Sequence, residues 1–496
     1  MREEMLDGGS RRIDLGSGYS LISPGLKGKA ILHEKRTAGT RGPESATDTL
    51  DGALAAAGIK EVRTIELQVQ PVPVPPGSAP VRSASGEDAL VLEVPDLGPD
   101  VGQVVMAVDE AGVVTYSFPE SAGTAKRFRV RRRVAPRPSE GTKRGLIGTL
   151  GKKFLKVLVY PLTDPILGPI GEQYAAKWEA EHRPYGIRWF TPDDYVQPAG
   201  RPVTAADWTA LAQGPVLLWV HGTFSTAHDG FGSLPQETMQ QFWVRYGGRV
   251  IAFNHPSLSQ DPRENAAWFV SQIPAGIRLD LDIVCHSRGG LVSRMLAEYP
   301  ALNVRRIVFV GTPNRGTKLA DPNHMVDMLD RLTTVVNLIP IKSAQAVLES
   351  ILAALKVVGH GALKGLPGLA SMDPTGQFQH RVAGGPPSHA VYYGITADYE
   401  PTEPGLKEFV MNEGADRIFG EANDLVVPTE GVYKPSQPGF PIPAERLLTF
   451  GHADGVTHVT YFQTPGTGAR LLDWLTPEQV SLAEVAAGQD PAGATQ

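Results

Sequence analysis

One cysteine, Cys285, is all that the 496 residues contain. An intrachain disulfide is therefore excluded, and no oxidising compartment is implied. Long apolar runs are missing as well: none reaches the roughly 18 residues needed to span a bilayer. The start, MREEMLDGGSRRIDLG, is charged and lacks the apolar stretch of a secretory signal. Together these absences make a cytoplasmic location the expectation. No strong charge excess exists either. A formal net charge of −6 gives no general attraction to nucleic acid, and no nucleic-acid partner is expected. Zinc-spaced Cys/His clusters and glycine-rich phosphate loops are absent, so neither a metal nor a cofactor is expected.

What is present is 42% hydrophobic residues, enough to build the cores of two or three domains. Residues 1–45 are rich in Gly, Ser and charge and read as a flexible tail. A small β-rich domain is predicted over 46–135. There DGALAAAGIK is helix-like, EVRTIELQVQ and DALVLEVPD alternate like strands, and GQVVMAVDEAGVVTYSFP reads as a hairpin turning near Glu110. PVPVPPGSAP, residues 71–80, reads as a loop, because each proline removes a donor. Residues 136–200 read as a basic linker and helical connector. The stretch from KRFRVRRR to KKFLKVL carries about a dozen basic residues against one acid, Glu140. Aromatics for base stacking are nearly absent there, which favours a solvated linker over a nucleic-acid patch. Peripheral contact with anionic lipid stays open.

From residue 201 the rhythm changes to short apolar strands alternating with helical patterns. The strands are PVLLWVH (215–221), GRVIAFN (248–254), LDIVCHS (281–287), RRIVFVG (305–311), HAVYYGI (389–395) and RLLTFG (446–451). Near-continuous apolar strands with helices between them indicate a mostly parallel sheet covered on both faces. This α/β domain is predicted to span 201–480, with 481–496 a flexible tail. Such sheets bind ligands at the carboxyl ends of their strands. Ser287 stands there, between LDIVCH and the amphipathic RGGLVSRML. A serine thrust out of a sheet by a tight strand–turn–helix bend needs small residues two before and two after it. Those positions hold Cys285 and Gly289, and cysteine is small enough to stand where glycine is usual. An ordinary helix N-cap is the plainer reading of a lone serine.

The HGT of LLWVHGTFSTAHDGFG, the CHSRGG bend and the GTPNRGT of IVFVGTPNRGTKLAD occur in that order. Together they resemble the α/β-hydrolase superfamily, its lipase/esterase branch in particular, over roughly residues 210–476. The resemblance implies a serine nucleophile, then an acid, then a histidine, in that chain order. Ser287 is the implied nucleophile. Asp424 in EANDLVVPTEGVY is the implied acid, with Asp398 in ITADYEP as the alternative. His458 in THVTYF is the implied base, with His452 six positions earlier as the alternative. His221 and His286 read as supporting residues. The amides of Thr223 and Arg288 are the implied oxyanion donors. The Arg288 side chain is expected to pair with a buried carboxylate, or else to meet an anionic head group.

Within 318–385, MVDMLDRLTTVVNLIPI and SAQAVLESILAALKVVG space their apolar residues as helices do. They read as a helical lid over the serine, mobile or statically packed. The implied activity is that of a serine esterase or lipase-like hydrolase (EC 3.1.1 type), working through an acyl-enzyme. Its substrate would be a small-molecule acyl ester or lipid, with possible membrane contact through the lid or the basic segment. A thioesterase or amidase using the same residues, or a non-catalytic interaction scaffold, are the competing readings.

Overall fold

The computed structural model describes residues 2–33, 46–70, 89–122, 125–131, 151–162, 171–321, 324–339, 341, 343–359, 361, 366–386, 388–401 and 421–476. The proline-rich loop 71–80, residues 132–150 of the basic segment and the tail 481–496 lie outside the described residues.

The first third of the chain forms two antiparallel sheets. Their strands are β1 (Arg2–Asp7), β2 (Arg12–Gly16), β3 (Tyr19–Ile22), β4 (Lys27–His33), β5 (Lys60–Val69), β6 (Ala89–Pro95), β7 (Val101–Asp109), β8 (Val114–Ser117), β9 (Pro119–Ala122), β10 (Ala125–Arg131) and β11 (Gly151–Pro161). One sheet runs β1-β4-β5-β11-β7-β8 and the other β2-β3-β6-β10-β9. Leu15, Leu21, Leu67, Leu92, Phe128 and Val157 are among the side chains buried between them.

This corrects the tail expected over 1–45. Residues 2–33 supply four strands, each burying one to three apolar side chains such as Leu6, Ile13, Leu21 and Leu32. Short strands separated by glycine turns look like loose chain when composition is averaged over 45 residues. The basic connector expected over 136–200 is corrected as well. Residues 151–161 form β11, paired on both sides with β5 and β7. Leu155 and Val157 point inward, while Lys152 and Lys156 alternate outward. The outward cations face acids on neighbouring elements: Lys156 meets Asp51 at 2.9 Å, Arg127 meets Glu93 at 2.9 Å and Arg129 meets Glu120 at 2.9 Å. Among the described residues of this stretch, the helix Gly171–His182 matches the connector reading.

The second sheet system begins before residue 201, at β12 (Gly186–Trp189). It continues with β13 (Val216–Val220), β14 (Val250–Asn254), β15 (Leu279–His286), β16 (Leu302–Val310), β17 (Val391–Ala397) and β18 (Leu447–Phe450). The order is β12-β14-β13-β15-β16-β17-β18. β12 is antiparallel to β14, and every other described pairing is parallel. In β13 every residue is buried, because successive side chains serve opposite faces. Leu218 packs under helices Pro262–Ser271 and Gly289–Leu296, whereas Leu217 and Trp219 pack under Gln236–Arg245 and Pro465–Trp474. This is the α/β-hydrolase fold that the motifs imply. Two further helices, Met325–Leu338 and Ala344–Gly359, are inserted between β16 and β17. Among the described residues no helix is long and apolar enough to cross a membrane.

One carboxylate ties the two halves of the chain together. Glu179, on helix Gly171–His182, is buried and accepts the amides of Ser257, Leu258 and Ser259 at 2.6, 2.8 and 2.8 Å. Ser257 Oγ in turn accepts the Phe224 amide at 3.2 Å, bracing the loop after β13. Removing the acceptor leaves two buried donors, the amides of Ser257 and Leu258, and the half-buried amide of Ser259 unpaired, at a cost of roughly 1–3 kcal/mol for each buried group. Glu179→Ala should therefore lose about 3 kcal/mol or more of unfolding free energy in urea titrations. A loss below about 1 kcal/mol would mean that water replaces the carboxylate at no cost.

Candidate active site

The bend at the end of β15 is sharp because Ser287 adopts a left-handed backbone, φ 51°. Its amide stays tied to the sheet through Val310 O at 2.9 Å, and the helix Gly289–Leu296 starts two residues on. At Gly289 a Cβ would sit 2.4 Å from Val220 O and 2.5 Å from His221 O, so only glycine fits. Cys285 is tolerated because its side chain enters the core of the sheet, where Sγ donates to Val308 O at 3.2 Å. Burial pushes this thiol up to about 12.

His458, in the loop after β18, places Nε2 3.0 Å from Ser287 Oγ and Nδ1 2.8 Å from Asp424 Oδ2. Nδ1 donates to the carboxylate, which leaves Nε2 free to accept the serine proton. The His458 amide also donates to Asp424 O at 3.0 Å. Asp424 Oδ1 accepts the amides of Val426 and Val427 at 3.0 and 2.7 Å. Burial alone would raise its carboxyl, but the adjacent His458 and these hydrogen bonds outweigh burial and hold it below the ordinary aspartate range. Asp424 and His458 meet above Gly311, where a Cβ would lie 3.1 Å from Asp424 Oδ2 and 3.3 Å from His458 Nδ1.

The alternatives lie elsewhere. His452 is about half exposed and pairs with Asp398 at 3.3 Å, so the two runners-up partner each other away from the serine. Thr223 lines the cleft beside Ser287, and a Cβ on Gly222 would approach the Ser287 Cβ to 2.7 Å. Among the described residues, the amides of Thr223 and Arg288 donate to no protein acceptor. The Arg288 side chain departs from expectation. It runs into the core and donates to Gly368 O and Asn265 Oδ1 at 2.8 and 2.9 Å and to Gln260 O, with no ion pair to a carboxylate among the described residues. These oxygens engage Nε and Nη2 of the guanidinium fork, while Nη1 is buried with no hydrogen-bond partner among the described residues. Burial lowers the group to about 10.

Of the residues that brace this group, Tyr461 and His255 carry no signal of their role in the sequence. Tyr461, three residues after His458, donates to Asp424 Oδ2 at 2.9 Å. His286 shares a hydrogen bond of 2.8 Å with His458 O, and burial holds its ring near 3, so the neutral ring is the donor. His221 stacks on His255 with ring centroids 4.2 Å apart. The His255 amide donates to His221 Nε2 at 3.1 Å, which makes Nδ1 the donor to Gly222 O at 2.8 Å. That carbonyl belongs to the same peptide unit as the Thr223 amide, so the pair fixes the plane of that unit.

A cleft of roughly 700 Å³, open mouth included, lies above Ser287. The inserted helices contribute Met328, Leu332 and Val347, and Met372, Val426, Val459 and Phe462 complete an apolar wall. Ser225, Asp229 and Ser343 add a polar patch. Among the described residues no group of three His, Cys, Asp or Glu could hold a metal ion.

Residues 182–476 match the family profile described as a domain of unknown function, DUF7379. The chain belongs to the DUF7379 family. The triacylglycerol lipase of Burkholderia plantarii is 30% identical to this DUF7379 chain over 131 residues, or 25% of the chain and 36% of the lipase. The chain thus matches only about a third of the length of that curated relative. Among solved structures, the mature Bacillus licheniformis lipase BlEst2 is 17% identical, with 59% of this chain and 98% of that one covered, at a TM-score of 0.32. Lipase 1 from Pelosinus fermentans is 11% identical, with coverage of 53% and 98%, at a TM-score of 0.35.

Two outcomes follow from this geometry. Cys285 should resist dithionitrobenzoate at pH 8 while the protein is folded and react once guanidinium exposes it; fast reaction of the folded chain would place the thiol at the surface. Asp424 has a folded pKa below the roughly 3.9 of an unfolded aspartate. Its stabilisation is therefore present above about pH 4 and is lost as pH falls through the lower folded value. Wild type should exceed Asp424→Asn in stability at pH 7, and the gap should shrink at pH 3. Denaturant titrations at the two pH values check this, and an equal gap at both contradicts it.

Proposed function

We propose that this chain is a serine hydrolase that cleaves carboxylic esters with an apolar acyl group. One observation carries the reading: an unbroken hydrogen-bond chain from Ser287 Oγ through His458 to Asp424, at the floor of a cleft with apolar walls. His458 Nε2 takes the hydroxyl proton as Oγ attacks the acyl carbonyl. Asp424 keeps the imidazole in the donating tautomer and stabilises the imidazolium. The developing oxyanion is held by the free amides of Thr223 and Arg288, each worth roughly 10²–10³ in rate. His458 then protonates the leaving alcohol, and an acyl group is left on Ser287. Water, deprotonated by the same imidazole, releases the acid and restores the serine.

Among the described residues the amides of Thr223 and Arg288 meet no acceptor, which favours an oxyanion-binding role over a scaffold role. The apolar wall favours an aliphatic acyl chain over a charged one. Thioesters and amides pass through the same tetrahedral intermediate and enter as comparison substrates.

A fluorophosphonate probe should label the wild-type chain and leave Ser287→Ala unlabelled. Asp424→Asn should keep binding but lower kcat by about four orders of magnitude. A folded wild-type protein that resists the probe would overturn the hydrolase reading. Turnover of p-nitrophenyl acetate well above that of the octanoate would overturn the apolar acyl pocket.

A further inference from the structure

The sandwich of β1–β11 has an open side, and the inserted helices close it. Among the described residues β8 is an edge strand with only β7 beside it, so alternate amides and carbonyls face away from the sheet. Side chains of helix Met325–Leu338 meet those groups in register. Thr334 Oγ1 accepts the Val114 amide at 3.0 Å and donates to Val114 O at 3.0 Å. Asp330 Oδ1 accepts the Tyr116 amide at 2.8 Å, and Asn337 Nδ2 donates to Gly112 O at 2.8 Å. Arg131 on β10 adds an ion pair to Asp327 at 3.1 Å.

The spacing explains the fit. Two residues of a strand advance about 6.7 Å, and the three- and four-residue steps of a helix advance about 4.5 and 6 Å along one face. Residues 112, 114 and 116 therefore climb the strand while 337, 334 and 330 descend the helix. The same helix sends Met328 and Leu332 into the cleft above Ser287. Positions 328 and 330 lie about 200° apart around a helix, so one face lines the cleft and the opposite face mends the strand edge. Helix Ala344–Gly359 is fastened too. It packs against helix Ala46–Ala56, and its Lys356 donates to Ala57 O and, at 3.0 Å, to Tyr174 Oη. Arg183 reaches Ala346 O at 3.1 Å.

We propose that the N-terminal sandwich, with the helix Gly171–His182, is a specificity element: it clamps both inserted helices from outside and thereby fixes the width and depth of the cleft over Ser287. This rests on the ester-hydrolase reading above. The helices act as a fixed roof, and acyl chains are selected by length because the roof does not swing aside to admit longer ones.

Hydrogen exchange followed by mass spectrometry, on the full chain, tests the clamp without relying on activity. Asp330→Ala/Thr334→Val should speed exchange of the 325–338 segment at least tenfold and leave β13–β16 unchanged. In the same variant, turnover of p-nitrophenyl butyrate should stay within twofold, while kcat/KM for the palmitate should rise at least fivefold. Unchanged exchange overturns the clamp. Faster exchange with an unchanged palmitate-to-butyrate ratio overturns its role in selection. Should the double variant fail to fold, Asn337→Ala, at the half-buried end of the contact, is judged by the same two readouts. A wild-type chain that cleaves neither ester defeats the ester reading instead, and the exchange measurement still decides whether the roof is clamped.

Discussion

The site depends on how closely backbones approach around a single left-handed residue. Ser287 leaves β15 at φ 51°, and the next turn of chain passes against the carbonyls of Val220 and His221, where Gly289 leaves no atom in the way. A non-glycine residue in this conformation costs on the order of 1–3 kcal/mol, which the buried parallel sheet on either side can offset. Gly311, at the end of the adjacent strand, plays the matching part, since its bare backbone makes room for the Asp424–His458 pair. Ser287, His458 and Asp424 therefore come from three loops at one end of one sheet. Their distances are set by strand packing and not by the loops themselves.

Local patterns in the chain were legible where physics acts locally. An apolar run cut off by His-Ser-Arg-Gly-Gly announces a strand, a bend and a helix, because only small residues survive at such a turn. The six apolar strands were legible for the same reason: parallel strands buried on both faces admit few polar residues. β12 was missed because an antiparallel edge strand of four residues carries little pattern. The choice between His458 and His452 was not legible, since both lie in one loop and spacing permits either. Space decides it, because the His458 ring fits over Gly311, whereas His452 turns outward to Asp398. Tyr461 and Glu179 escaped notice because their partners lie 37 and about 80 residues away.

The first third of the chain was misread for a different reason. Composition weighs residues without regard to order, whereas strands depend on alternation. Arg127, Arg129 and Arg131 of β10 and Lys152 and Lys156 of β11 look like a cationic run when counted, yet they lie on the outer faces of strands whose other face is buried. Their charge is met by Glu93, Glu120 and Asp51 on neighbouring elements. The sandwich and the hydrolase sheet then share one continuous apolar core, in which Leu50 and Tyr160 cluster with Leu218 and Leu352.

The register between β8 and the helix Met325–Leu338 has a further consequence. An uncovered strand edge is a template on which other chains can pair. If that helix were displaced or proteolysed, the amides of Val114 and Tyr116 would be bared beside a hydrophobic interior. The molecule would then be prone to intermolecular strand addition and aggregation, so the helices that cover the cleft also keep neighbouring copies of the chain apart.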